Sequence, residues 1–160
     1  MDNYHMSVLP RILLVEDSPM DAELALKALA AYHLANEVLH LHDGAEALDY
    51  LYRRGAYEGW IHGKPVLILL DLKMPRIDGI EVLRQVKADP DLKTVPVVVM
   101  TSSREDQDLI DTYQLGVNAY VVKPVKFPEF VEAVRQVGAF WAILNEPPVG
   151  SVPKSSSLAG

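Results

Sequence analysis

Four short, uninterrupted apolar runs each stop at a residue that can handle phosphate or metal, and this limits the folds open to the chain. Ile12 to Val15 leads into Glu16-Asp17, Val66 to Leu70 into Asp71, Val97 to Met100 into Thr101, and Ala119 to Val122 into Lys123-Pro124. Runs of this length, rich in Val, Ile and Leu, are what strands look like when helices cover both faces of a parallel sheet. Open sheets of that kind bind ligands beyond the carboxyl ends of their strands. Three acids, a hydroxyl and an ammonium are therefore expected on one rim.

Between the runs the sequence is amphipathic with helical period, the pattern of repeated strand–helix units. Ser18-Pro19-Met20-Asp21 opens the first helix. Ser caps, Pro suits the first helical position, and Asp three residues after the cap can complete a capping box. That helix continues through Ala22, Leu26 and Leu29 to about Ala31. A second strand near Glu37 to His42 and a helix from about Ala45 to Arg53 follow. Arg54 to Lys64 holds three Gly and no helical period, so an exposed connection is predicted, long enough to carry function. Met74-Pro75 to Asp78-Gly79 turns into a helix ending near Ala88. Ser103 or Asp106 caps a fourth helix that stops at Leu115-Gly116, and the last runs from about Phe127-Pro128-Glu129 to Leu144.

Five strands and five helices with right-handed crossovers make an α/β fold, a doubly wound five-stranded parallel sheet with helices on both faces. The flavodoxin-like order 2-1-3-4-5 is one common solution, and it sets strands one and three side by side at the switch point. Glu16, Asp17 and Asp71 then become neighbours.

With 160 residues, 49% of them apolar, the chain has material for one domain, over 11–146. An arm (1–10) precedes it, and a Pro/Ser/Gly-rich tail (147–160) is expected to be flexible. The net charge of -7 argues against a nucleic-acid partner, which needs a clustered basic surface. No window approaches the roughly eighteen apolar residues of a membrane span, so no membrane association is expected. The first residues lack the charged start and apolar stretch of a signal peptide, which makes the cytoplasm the expected location. Cys is absent, excluding disulfides and thiolate metal sites.

Crowded carboxylates repel one another, and a hard divalent cation relieves the repulsion. Oxygen ligands suit Mg²⁺, which takes one or two protein carboxylates and leaves room for a phosphate oxygen. Asp71 ends the middle strand and is the natural nucleophile, able to form an aspartyl phosphate. Phosphoryl transfer asks the protein mainly to place groups and neutralise spreading charge. Metal on one side and Lys123 on the other can do so, with the Thr101 hydroxyl bonding a phosphoryl oxygen.

These residues, in this order and strand context, resemble the receiver domain of two-component response regulators. The resemblance spans roughly Arg11 to Asn145. It rests on Glu16-Asp17, on Leu69-Leu70-Asp71-Leu72-Lys73-Met74-Pro75 with Asp78-Gly79, on Thr101-Ser102, and on Tyr120 before Lys123-Pro124. More narrowly, VEDSPMDAELALKAL, LHDGAEALDYL with Arg53-Arg54-Gly55, and KADPDLKTVPVVVMTSS are similar to the small single-domain regulators paired with cyanobacterial phytochromes. The resemblance implies phosphorylation of Asp71 by a sensor histidine kinase, a phytochrome in the narrower case, with signalling by protein–protein contact to an unidentified target. It implies that Asp17 and Asp71 contact Mg²⁺ directly, that the Lys73 backbone carbonyl adds a ligand, and that Glu16 acts mainly through water. Lys123 would pair with the phosphoryl group. Thr101 would move towards it, and Tyr120 would rotate inward and reshape the face between the fourth and fifth helices. A cis Lys123–Pro124 bond is implied as well. Self-phosphorylation and self-dephosphorylation would be the only chemistry, so the chain is not expected to be a turnover enzyme. Lys73 departs from the Asn or other side chain that many receivers carry there, and a cation at that mouth is expected to alter how fast water reaches the acyl phosphate.

Each residue taken alone has an ordinary explanation: strand-end Asp caps turns, acids precede helix N-termini, and Lys is solvated. Coincidence of all four motifs on one rim is what those explanations leave unaccounted for. A haloacid dehalogenase-like phosphatase would also use Asp71 as nucleophile, but its D-x-D pattern needs a second acid where this chain has Lys73. An unphosphorylated docking module is opposed by the intact Glu16-Asp17, Asp71, Thr101 and Lys123. A nucleotide-binding reading lacks both G-x-G-x-x-G and a P-loop after the first strand. His40 and His42 share a strand face, and with no third ligand in view a solvated face is expected. The last helix has a core stripe of Phe130, Val134, Val137 and Trp141, widened by Phe140, Ile143 and Leu144. That excess favours a homodimer through the fourth helix, fifth strand and fifth helix.

Overall fold

Five parallel strands form one sheet in the order β2-β1-β3-β4-β5: β1 (Ile12–Val15), β2 (Val38–Leu41), β3 (Leu67–Asp71), β4 (Val97–Thr101) and β5 (Tyr120–Val122). The computed structural model describes residues 12–31, 34, 37–60, 63–74, 77–102, 117 and 119–138. The expected doubly wound sheet and its strand order are both present. β1, β3 and β4 are buried along their whole length, as their unbroken apolar sequence demands, whereas the edge strand β2 is mostly half-buried.

Four helices are described: α1 (Pro19–Ala30), α2 (Gly44–Tyr52), α3 (Gly79–Ala88) and α4 (Phe127–Gln136). α4 starts where the last predicted helix does but ends at Gln136, short of the expected Leu144: Val137 closes it and Gly138 follows at a φ of 75°, the left-handed turn that stops helices and suits glycine. Phe140, Trp141, Ile143 and Leu144, the predicted helix from Ser103 or Asp106 to Leu115-Gly116, the arm and the tail lie outside the described residues. Side chains alternate along each strand, so the sheet has two apolar layers. Ile12, Leu14, Leu67, Leu69, Val98 and Val121 face α1 and α4, meeting Ala25, Leu29, Phe130 and Val134. Leu13, Val15, Ile68, Leu70, Val97 and Val99 face α2 and α3, meeting Leu48, Tyr50, Leu83 and Val86.

Caps set the helix starts. Asp43 accepts from the Glu46 N–H at 2.8 Å and Asp78 from the Glu81 N–H at 3.0 Å, each satisfying a donor the first turn leaves open. The segment after α2 differs from its sequence reading. Gly55–Tyr57 makes a 3-10 turn, and Tyr57 and Trp60 are half-buried rather than exposed. Tyr57 packs edge-on against Tyr50 with ring centroids 5.2 Å apart, and Trp60 packs edge-on against Tyr57 at 5.1 Å. Aromatic packing between a loop and a helix leaves no periodic trace in sequence, which is why a bare connection was expected.

Candidate metal and phosphoryl site

β1 and β3 run in register with Val15 opposite Leu70, so their next residues, Glu16 and Asp71, emerge side by side. One carboxylate oxygen from each of Glu16, Asp17 and Asp71 lies within 4.8 Å of the others. Glu16 and Asp71 are buried, while Asp17 is exposed. Lys123, just past β5, reaches across the sheet end. Its Nζ lies 2.9 Å from Glu16 Oε2 and 3.0 Å from Asp71 Oδ1. The Lys123 backbone N–H donates to the Thr101 carbonyl at 2.8 Å, which fixes the end of β5 to the end of β4. The Lys123–Pro124 bond is cis.

Thr101 closes β4 with its side chain fully buried, and its Oγ1 has no hydrogen-bond partner among the described residues. A buried hydroxyl in that condition is costly unless something completes it, and a phosphoryl oxygen is one such partner. Tyr120 is half-buried on β5 and packs against the layer that faces α2 and α3. Lys73 stands two residues past Asp71 with its side chain exposed. Gly79 matters to the site through space. A Cβ there would lie 2.1 Å from the Asp71 carbonyl oxygen and 2.7 Å from Leu72 Cα, so α3 meets the strand end with no room for a side chain. The Gly79 N–H donates to the Leu72 carbonyl at 2.9 Å, holding the turn after Asp71.

Burial pushes the Glu16 carboxyl up to about 7. Lys123 and the Ser18 N–H pull it down, and the Asp71 charge raises it further. For Lys123, burial alone would lower the ammonium, but bonding to Glu16 and Asp71 outweighs it and holds the group well above the ordinary lysine range. The rim is a place where carboxylates already share a cation. Three hard oxygen donors from Glu16, Asp17 and Asp71, two of them buried, fit a divalent cation of the Mg²⁺ or Mn²⁺ type.

Two features were not read from sequence. Asp21 was expected to complete the Ser18 capping box. Ser18 Oγ does accept from the Asp21 N–H at 3.2 Å, but the Ser18 N–H donates to Glu16 Oε1 at 3.0 Å, and the Asp21 carboxylate lies 3.3 Å from Lys123 Nζ instead. Glu16, two residues before the cap, is the better-placed acceptor. His40 was expected on a solvated face, yet it is half-buried and its Nε2 donates to the Glu16 carbonyl at 2.7 Å. The parallel β1–β2 pairing puts that ring beside the strand end; alternation along β2 alone could not disclose it.

A strand-end carboxylate, two neighbouring acids that with it fit a divalent cation, and a cross-sheet lysine at the switch point of a 2-1-3-4-5 sheet match the receiver class of signalling modules. The family model for the response regulator receiver domain matches residues 12–135, and the chain belongs to that family. It is 42% identical over 130 residues to response regulator Rcp1 of Synechocystis sp., covering 81% of this chain and 87% of the relative. The Mn(2+)-bound form of Rcp1 superposes with a TM-score of 0.63 at 39% identity, over 82% of this chain and 94% of that one. Similarity to the bacteriophytochrome response regulator AtBRR is higher: 56% identity and a TM-score of 0.79, over 86% of this chain and 99% of AtBRR. The phosphorylated cyanobacterial phytochrome response regulator RcpA gives 36% identity and a TM-score of 0.65, over 92% and 100%. The chain is thus a receiver domain related to phytochrome response regulators, and membership of that family implies a histidine kinase partner. No helix among the described residues is long and apolar enough to cross a membrane.

Proposed function

We propose that the chain is a phosphorylation switch that accepts a phosphoryl group on Asp71 from a phytochrome-type histidine kinase, using Mg²⁺ held by Glu16, Asp17 and Asp71. The observation that carries this reading is the convergence of those three carboxylates with the Lys123 ammonium at one strand end. Similarity to AtBRR and RcpA supports the choice of kinase class.

Transfer from a phosphohistidine forms an Asp71 Oδ–P bond and breaks the P–N bond, whose electron pair leaves with the imidazole. Asp71 is positioned for attack by β3 and by the close approach of Gly79 behind it. Glu16, Asp17 and Asp71, with the Lys73 backbone carbonyl, would hold the cation, which would supply charge neutralisation for the phosphoryl oxygens. Lys123 neutralises charge from the β5 side, and the Thr101 hydroxyl, which has no hydrogen-bond partner among the described residues, donates to a phosphoryl oxygen, drawing β4 towards Asp71. Tyr120, paired with Val99 two residues before that strand end, then turns inward and alters the face around β5 and α4. Val122 on β5 is 53% exposed, a large apolar side chain on the edge strand, which supports use of this face for a homodimer or a downstream protein. Sedimentation at high concentration, with and without phosphorylation, reads the dimer directly. Output passes through such contacts, not through turnover of substrates.

Incubation with acetyl phosphate and Mg²⁺, followed by mass spectrometry of intact protein, tests the central step. Wild type is expected to carry one phosphoryl adduct that Asp71→Asn lacks. An adduct that persists in the variant, or none in wild type, would end this reading. Turnover of unrelated phosphate esters would favour a phosphatase.

A further inference from the structure

The Lys123 ammonium has three N–H donors and three carboxylates around it: Glu16 at 2.9 Å, Asp71 at 3.0 Å and Asp21 at 3.3 Å. Two of those acids belong to the cluster that fits a divalent cation. The third does not, because Asp21 sits in the first turn of α1 and its oxygens fall outside the group gathered within 4.8 Å. Strand alternation accounts for its presence. Glu16, Asp71 and Lys123 continue the side-chain rows that face α1 and α4, so α1 supplies the nearest additional acid. The cap leaves that acid available, since the Ser18 N–H is already taken by Glu16.

A cation among Glu16, Asp17 and Asp71 competes with Lys123 for the same oxygens and repels its charge. With such a cation bound, Lys123 would give up Glu16 and Asp71, two of its three partners. We propose that Asp21 is a positioning residue, the acceptor that retains Lys123 at the rim when a divalent cation engages Glu16 and Asp71. The Asp21 contact is the longest of the three and has room to shorten as the others are surrendered. With side-chain exposures of 16% for Lys123 and 34% for Asp21, the pair is less screened than one on the open surface. Held by one donor, Lys123 keeps two N–H groups for the oxygens of a phosphoryl group on Asp71. This inference rests on the proposed cation site and names a residue, 102 positions away in sequence, that completes it.

Calorimetric titration of the full chain with Mn²⁺ provides the test, on wild type, Asp21→Asn, Lys123→Met and the double variant. Asp21→Asn is expected to weaken Mn²⁺ binding about fivefold in the wild-type background and less than about 1.5-fold in the Lys123→Met background. Asp21→Glu is expected to restore most of the lost affinity. Equal weakening in both backgrounds would make Asp21 a plain negative charge and overturn the proposal, as would no weakening in either. Should Lys123→Met fail to fold, the acetyl phosphate reaction at saturating Mn²⁺ decides. There Asp21→Asn must be slower than wild type and Asp21→Glu must recover; equal rates for all three overturn the role. Failure of wild type to bind Mn²⁺ at all would instead remove the cation site, and this inference with it.

Discussion

The apolar interior and the carboxyl rim of the same sheet are built on opposite terms. Within β1, β3 and β4 the side chains from Ile12 to Val15, Leu67 to Leu70 and Val97 to Met100 are buried against other hydrocarbon. One residue further on, equally buried positions hold Glu16, Asp71 and Thr101. Hydrocarbon burial stabilises wherever it occurs. A buried acid or hydroxyl costs free energy unless something completes it. At the rim the completion is partial: one lysine serves three carboxylates, and the Thr101 hydroxyl has no hydrogen-bond partner among the described residues. The chain thus concentrates its stability in the strands and leaves its strand ends incompletely satisfied, where the proposed cation and phosphoryl group would complete them.

The strongest way to break this contrast is to damage the interior and ask whether the rim notices. Phe130 is 1% exposed in the layer under α4. Phe130→Ala is expected to cost about 3–5 kcal/mol, by loss of transfer energy and by the cavity left behind. Since no ionisable group is touched, that cost is expected to be the same at mildly acid and mildly alkaline pH. Urea unfolding at two pH values would check it, and a pH-dependent cost would mean that interior and rim are not separable.

Glu16 sharpens the contrast from the other side. Its carboxyl is shifted upward from 4.5 to about 7, chiefly by burial. Between those values the folded protein keeps a proton that the unfolded chain has released. Unfolding is therefore increasingly favoured as pH rises, and the loss is complete above about 7. Glu16→Gln cannot ionise and escapes it. The stability of wild type relative to Glu16→Gln is expected to fall by about 3 kcal/mol between about pH 4.5 and about pH 8, in the presence of a chelator. Equal differences at both pH values would mean that Lys123 fully offsets burial of the charge.

What the sequence discloses divides along a similar line. The strands were legible because burial on both faces leaves unbroken apolar runs, and Glu16, Asp17, Asp71, Thr101 and Lys123 were legible as the residues that end them. Helix starts were legible at Ser18 and at the Asp78-Gly79 turn, whose Ser18 and Asp78 side chains cap within a few residues, whereas the Asp43 cap emerged only from the structure. What stayed hidden depends on contacts made across the fold. Asp21 looked like a cap because its link to Lys123 spans 102 positions. His40 looked solvated because its partner, the Glu16 carbonyl, lies just past the end of another strand. A weak signal did exist for Asp21: if the Glu16 carboxylate reaches the Ser18 N–H, the expected capping box cannot close, and an acid in the first turn of α1 is left facing the rim.

Tyr57 carries the same lesson to the segment after α2, at the smallest energy. Its ring packs edge-on against Tyr50, which is 1% exposed, and against Trp60, and its hydroxyl donates to Glu46 Oε1 at 3.1 Å. Two contributions are therefore separable by substitution. Tyr57→Phe keeps the ring and removes one hydrogen bond to a partly solvated carboxylate, so a loss of about 0.5–1 kcal/mol is expected. Tyr57→Ala removes the ring as well and is expected to cost clearly more, since aromatic pairs add about 0.5–1.5 kcal/mol beyond the area they bury. Urea midpoints of the two variants decide between the readings of this segment. If both lose no more than an exposed substitution would, Gly55 to Trp60 contributes nothing to the interior and the sequence reading of a bare connection was right. If Tyr57→Ala loses several times more than Tyr57→Phe, the interior extends past α2 through aromatic edges that no periodicity could announce.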